Sequence, residues 1–229
     1  MRLNGDVGED PVQIDDGRQR ALLALLDDAN VACGGHAGDL DTMTRTVAQC
    51  HALGVAVGAH PSAPDRASFG RAPITSSPCM IAGAVRAQLE ALGTVCAAHA
   101  VGITHVKPHG ALYHAAGDDE AWAMALLDAM GAAGLAVPLV LLAGARTVPA
   151  LVARGARVWT EGFADRAVDH QGRLLPRGAP GALITDPTRA AGRARELAAR
   201  GVDTVCVHGD TPGALAIAQA VRDALGPRG

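Results

Sequence analysis

The sequence predicts an α/β protein in which parallel strands are flanked by helices, and three observations carry that reading. Short apolar runs alternate with longer segments rich in Ala, Leu and Arg along the whole chain. These segments form seven or eight successive strand-then-helix units, and parallel strands need such crossover helices to connect them. Nearly every strand-like run also ends in ionisable or small polar residues, which a barrel or an open parallel sheet gathers on one face.

Taken in order, the strands are expected at 2–7, 30–33, 55–59, 104–107, 139–142, 157–161 and 204–207, with 182–184 as an eighth candidate. The helix at 17–26 rests on its Ala and Leu content. The next, at 41–53, has Asp39 or Asp41 to accept from free N–H groups at its start and Gly54 to end it. A long helix at 77–101 stops at Gly102. Asp118 is the expected cap of a helix at 118–133 that ends at Gly134. Segments 147–154 and 188–200 are stopped by Gly155 and Gly201, and 212–225 begins with Pro212 near its first turn. No composition shift or Ser/Pro/Gly-rich linker interrupts the pattern, so residues 1–229 are expected to form a single domain. Two long connections, 61–78 and 163–180, each follow a strand and read as active-site loops.

Composition narrows the classes of function. Hydrophobic residues at 49% and charged residues at 19% exclude a disordered or fibrous chain. A net charge of −3 without a basic stripe argues against nucleic acid as a partner. The five cysteines are odd in number and scattered, the pattern of reduced thiols in a cytoplasmic protein. The start, MRLNGDVGEDP, lacks the basic and apolar regions of a signal peptide, and the longest apolar run, 132–145, is broken by Gly134, Pro138 and Gly144. A membrane association is therefore not expected. Among 20 basic residues Lys107 is the one lysine. Where arginine supplies charge everywhere else, a retained lysine points to chemistry arginine cannot do, since lysine is compact and can lose its proton.

The strand ends supply the candidate site. They carry Asp6 and Glu9, then His36 and Asp39, His60 and Asp65, Lys107 and His109, Glu161 with Asp165 and Arg166, and finally His208 and Asp210. Asp39 and Asp118 also read as helix caps. His51, His99, His105 and His170 have no such placement, and His114 lies near the fourth strand end without an assigned role. Three chemistries fit the set. One is metal-dependent hydrolysis, although no HExxH or HxH pair supplies closely spaced ligands. Another is metal-free acid–base hydrolysis in which His and Asp move protons and Lys107 stabilises negative charge. The third is binding without turnover. Neither a Walker loop nor a GxGxxG helix start is present.

Taken together, LNGDVGED (3–10), NVACGGHAGD (30–39), GVAVGAHPSAPD (54–65), FGR (69–71), HVKPHGALYH (105–114), EGFADRAVDHQGRLLPR (161–177) and CVHGDTPGA (206–214) resemble the LamB/YcsF family. This is the family of A subunits of bacterial ATP-dependent 5-oxoprolinases. The chain departs from the usual pattern at Gly5, Gly35, Ala63, Ala72, Ala167 and Val168, with several aromatics lost. The resemblance implies an irregular, TIM-like (β/α) barrel similar to that of sugar deacetylases. It implies hydrolysis of 5-oxoproline (pyroglutamate) to L-glutamate with ATP as co-substrate, in a complex with B and C subunits. On that resemblance Asp6, His36 and His60 lie near the attacking water, and Lys107 and His109 hold a phosphate or an oxyanion. His208 and Asp210 complete the catalytic set, and Glu9, Asp39, Glu161, Asp165 and Arg166 contact substrate. Lys107 is expected to serve turnover rather than folding. The alternative is a metal-dependent amide or carbohydrate-ester hydrolase on the same barrel, with Asp6, His36 and His60 as ligands of a divalent metal.

Overall fold

A computed structural model describes residues 1–170 and 172–228. Strands β1 (Arg2–Val7), β2 (Asp28–Ala32), β3 (Ala56–His60), β4 (Ile103–Val106), β5 (Leu139–Leu142), β6 (Val158–Phe163) and β7 (Thr204–Cys206) pair in sequence order. All pairs are parallel, and β7 returns to β1 through Leu3↔Val205 and Asn4↔Cys206, closing a seven-stranded barrel. The expected eighth strand at 182–184 is not part of it. Leu183 makes only an isolated antiparallel bridge to Arg166, because Ala167 N–H donates to Ala182 and Ile184 N–H to Asp165 within one folded loop. The barrel is irregular on one side. The β3–β4 register shifts between Val57 and Ala59, and β4 meets β5 through the single pair Val106↔Leu139.

Helices α1 (Pro11–Asp15), α2 (Arg18–Leu23), α3 (Leu40–Leu53), α4 (Pro78–Ala98), α5 (Gly110–Asp118), α6 (Glu120–Ala132), α7 (Val148–Ala153), α8 (Pro187–Ala199) and α9 (Ala214–Leu225) occupy the connections. Their apolar stripes join the strands in one core that includes Leu3, Val31, Val47, Leu89, Leu126, Leu139, Val205 and Ile217. Burying such side chains is worth roughly 1.5–3 kcal/mol each, which is what holds helix to strand. The apolar helix α4 buries Ile81, Val85, Leu89, Leu92 and Val95 on one face and exposes Arg86 and Glu90 on the other. Two helices escape the sequence reading. α1 is a single short turn capped by Asp10, and α5 starts at Gly110 with no side-chain cap on its first N–H groups. In consequence Asp118 ends α5, and Asp119 caps α6.

The inside of the barrel is polar. Along β1, Leu3 and Val7 join the apolar core, whereas Asn4 and Asp6 reach across to β4 and β6. Asn4 Nδ2 donates to Glu161 at 3.0 Å and to Thr204 at 2.8 Å, while Asn30 Nδ2 donates to Asn4 and Asp6 at 2.8 Å each. His105 Nε2 completes this layer by donating to Asn30 Oδ1 at 2.8 Å. Gly58 makes room for that ring, since a Cβ there would lie 2.0 Å from His105 Nε2. Every strand therefore delivers its C-terminal end over a floor of buried, hydrogen-bonded polar groups.

Candidate active site

Above that floor lies a cavity of about 350 Å³, lined by Asp6, Glu9, His60, Lys107, His109 and His208 together with residues of both long connections. Lys107 is the centre of its base. Its Nζ lies 3.0 Å from Asp6 Oδ1 and 3.0 Å from Glu161 Oε1, with Cys206 Sγ at 3.1 Å and Asn4 Oδ1 at 3.4 Å. Burial opposes the charge on this side chain, but Asp6, Cys206 and Glu161 outweigh it and hold the ammonium well above its usual pKa. Lys107 is thus a fixed cation whose three N–H groups already have partners, not a lysine prepared to lose a proton. Glu161 is fully buried and also accepts from Tyr113 at 2.9 Å, so it stands behind the cavity wall.

Hydrogen bonding defines the protonation of the histidines on one wall. His60 Nδ1 lies 2.7 Å from the Lys107 carbonyl and must donate to it. His109 Nε2 donates to the Phe69 carbonyl at 2.9 Å, which leaves its Nδ1 as an acceptor 3.0 Å from His60 Nε2. His60 Nε2, also 3.4 Å from Asp6 Oδ2, therefore donates as well, and His60 is an imidazolium. The electrostatics agree. Burial works against charge on His60, and the adjacent Asp6 carboxylate overcomes it and raises the pKa. Burial raises Asp6, but His60 and Lys107 bring it well below the ordinary carboxylate range. Burial and the neighbouring His60 and His36 hold His109 far down, in the neutral form.

His208 occupies the opposite wall with a different partner. Both oxygens of Asp165 lie against its Nδ1, at 3.0 and 3.1 Å, and Asp165 also accepts from the His208 N–H and from Thr211 Oγ1. The carboxylate fixes Nδ1 as the donor and holds the ring with Nε2 3.9 Å from Asp6 Oδ2. Burial raises Asp165, and His208 with Thr211 lowers it further than burial raises it, so it remains ionised.

The full chain, residues 1–229, matches the LamB/YcsF family. The chain belongs to that family. It is 44% identical to the 5-oxoprolinase A subunit of Chloroflexus aggregans, covering 97% of this chain and 94% of the relative. Identity to the corresponding 5-oxoprolinase chain of Methylococcus capsulatus is 43%, over 99% and 92%. A lactam utilization protein from Thermus thermophilus superposes with a TM-score of 0.87 at 37% identity, covering 98% of this chain and 95% of that one.

In this LamB/YcsF chain, Asp6, Glu9, His60, Lys107, His109, Arg166, His208 and Asp210 all reach the cavity. His36 sits behind them, donating from Nε2 to Glu9 at 2.9 Å and stacking on His109 at 3.7 Å. Asp165 and Glu161 lie behind His208 and Lys107, which they contact, and do not line the cavity. Asp39 is elsewhere: its side chain accepts from Thr42 N–H while Thr42 Oγ1 accepts from Asp39 N–H, a reciprocal cap on α3 that engages Oδ1 of the carboxylate. Arg71, Arg177 and Tyr113 line the cavity although the sequence does not single them out. Their available signal is position, the two arginines in the long connections and the tyrosine four residues past His109.

A divalent metal has a place here, but not on the expected trio. Glu9 Oε1 and one ring nitrogen each of His36, His60 and His109 lie within 4.8 Å of one another. The outer nitrogens of His60 and His109 are held by main-chain carbonyls, the support that metal-bound histidines use. Asp6, by contrast, faces Lys107 and forms a separate group with Cys206 and His208. The residues fit a metal in place of the His60 Nε2 proton.

Proposed function

We propose that this chain hydrolyses 5-oxoproline to L-glutamate as the A component of an ATP-dependent complex with B and C subunits, in the cytoplasm. The observation that carries the reading is the Asp165–His208 pair, a base with its free nitrogen over a cavity whose floor is a fixed ammonium. The 5-oxoprolinase relatives support the substrate. The cysteines support the compartment, being free thiols with four of the five buried.

An unstrained five-membered lactam is a poor electrophile, and reclosure competes with its opening. Phosphoryl transfer from ATP to the lactam oxygen makes the ring carbon electrophilic. Water then adds to that carbon, giving its proton to His208 Nε2, and the ring C–N bond breaks as the nitrogen takes up a proton. The resulting acyl phosphate is hydrolysed by a second water to glutamate and inorganic phosphate. Positive charge from Lys107 stabilises the developing oxyanion through the short distance to the cavity floor. His60, held protonated by Asp6, is the proton-bearing group on the wall facing His208. No nucleophilic thiol takes part: Cys206 is fully buried, and burial raises its pKa well above the usual value.

Glutamate release from 5-oxoproline and ATP, measured with and without candidate B and C subunits, tests this. Turnover that needs all three chains and one ATP per glutamate is expected, and no glutamate from the reconstituted complex would end the proposal. A second reading, metal-dependent amide or carbohydrate-ester hydrolysis, is favoured by the Glu9, His36, His60 and His109 group. A metal there would supply an electrophilic centre, with Glu9 and the three histidines holding it. Metal content and hydrolysis of simple amides and esters, before and after chelation, separate the two readings.

A further inference from the structure

The two long connections bring three arginines to the cavity, and their surroundings differ from those of surface ion pairs. Arg71, Arg166 and Arg177 line the cavity together with Asp210. Arg177 Nη1 lies 2.5 Å from Asp210 Oδ2, and Arg71 Nη2 lies 3.7 Å from the same oxygen. Among the described residues Arg166 has no ion pair within 4 Å. Its Nη2 donates to the Leu175 carbonyl at 2.6 Å, and its Nε is buried without an acceptor. Arg166 is 7% exposed, so water does little to compensate that donor.

Arg71 and Arg177 therefore share one carboxylate and Arg166, among the described residues, has none within 4 Å, so at this wall three guanidiniums face a single paired carboxylate, an excess of two positive charges. Burial, followed by repulsion from Arg177, lowers the Arg166 pKa. Like charges held together in a cleft destabilise the free protein and raise the local concentration of an anion of opposite charge. The unmatched charge equals that of a phosphoryl dianion, and guanidinium forks match phosphate oxygens two at a time. A nucleoside is poorly served by the same cavity. The Phe163 ring is stacked by His208 at 5.4 Å and has Lys107 Nζ at 5.3 Å, while Tyr113 is only 5% exposed with Phe163 packed edge-on against it, so neither ring offers an open face for a base.

We propose that Arg71, Arg166 and Arg177 form a phosphoryl-binding subsite for a phosphorylated small molecule rather than for a nucleotide, with Asp210 as the internal anion that the ligand displaces. The proposal deepens the function given above and rests on it for the ligand's identity.

Calorimetric titration of inorganic phosphate at low ionic strength tests the subsite directly. The full chain and an Arg86→Gln charge control are expected to bind phosphate, and an Arg71→Gln/Arg177→Gln double variant to bind it at least tenfold more weakly. Asp210→Asn is expected to tighten binding, because the competing carboxylate is gone. ATP is expected to bind no more tightly than tripolyphosphate. The subsite is overturned by absence of phosphate binding, by equal affinity in the folded double variant, or by ATP binding tenfold tighter than tripolyphosphate. The two proposals fail separately in the reconstituted complex. Phosphate binding without glutamate formation removes the 5-oxoproline reading, and full glutamate formation by the double variant removes the subsite.

Discussion

The floor and the rim of the cavity are both rich in charge, yet they solve opposite problems. On the floor, Lys107 is 2% exposed and sits between two carboxylates, with Asn4 and Asn30 closing the network. At the rim, Arg71 and Arg177 are partly exposed and share Asp210, and Arg166 keeps an unpaired donor. Buried charge survives only when paired and hydrogen-bonded, so the floor has one arrangement and holds it. The rim is left short of negative charge, and only a ligand completes it. One region is part of the folded core; the other is a receptor.

Lys107→Met puts the greatest strain on this contrast. On the floor it would strand Asp6 and Glu161 without their shared cation, and removing one partner of a buried pair costs about 3–5 kcal/mol. The sequence reading assigns Lys107 to turnover and not to folding; burial assigns it to both. We expect loss of activity together with a clearly lower denaturation midpoint in urea, measured by circular dichroism. A Lys107→Met protein with the wild-type midpoint would show that the floor is not held by its charges.

Asp165→Asn has the next largest effect and probes the wall between floor and rim. An amide can present its NH₂ to His208 and turn the ring to the wrong tautomer, a change that costs roughly 10⁴ in kcat in comparable Asp–His pairs. Glutamate release should fall by about two to four orders of magnitude with little change in KM. The stability effect carries a pH signature. The Asp165 pKa is lowered on folding, so its ionised form contributes stability above the unfolded value of about 3.9, and that contribution is lost as pH falls through the folded value. The difference in denaturation midpoint between wild type and Asp165→Asn should be constant near neutrality and shrink below about pH 4. A difference that grows on acidification would reverse the assigned ionisation.

How much of this is legible in the sequence depends on where each residue lies. His60, Lys107, His109 and His208 follow apolar runs and stand beside glycine or proline, so both strand and turn mark them. The floor is harder to see. Asn4 shares the parity of Asp6 along β1, which is a usable signal, but Asn30 and His105 are mid-strand polar residues that become neighbours only when the barrel closes. Arg71 and Arg177 belong to irregular loops with no periodicity, and in a chain that writes nearly all its positive charge as arginine their identity singles out nothing. Helix α5 is hidden for a local reason: Gly110 opens it at φ 59°, where a Cβ would lie 2.3 Å from the Gly70 carbonyl oxygen. That glycine reads as a turn because it permits close packing of the loop that carries Phe69.

Asp39 is a strand-end residue that belongs to neither region, and it gives the smallest and most discriminating effect. Its place after β2, within the run that also supplies His36, makes it look like a ligand of the cavity. Its carboxylate is instead occupied by the first turn of α3, with Thr42 N–H at 2.8 Å and the Thr42 hydroxyl completing the reciprocal cap. Its pKa is lowered by that same Thr42 N–H and hydroxyl, a local cause with no contribution from the cavity histidines. Replacing an N-cap aspartate by alanine costs about 1 kcal/mol. Asp39→Ala is therefore expected to lower the denaturation midpoint modestly while leaving kcat and KM for 5-oxoproline within about twofold of wild type, since surface changes away from a site rarely do more. A large rise in KM with an unchanged midpoint would return Asp39 to the substrate, and would mean that α3 moves its N-terminus into the cavity during turnover.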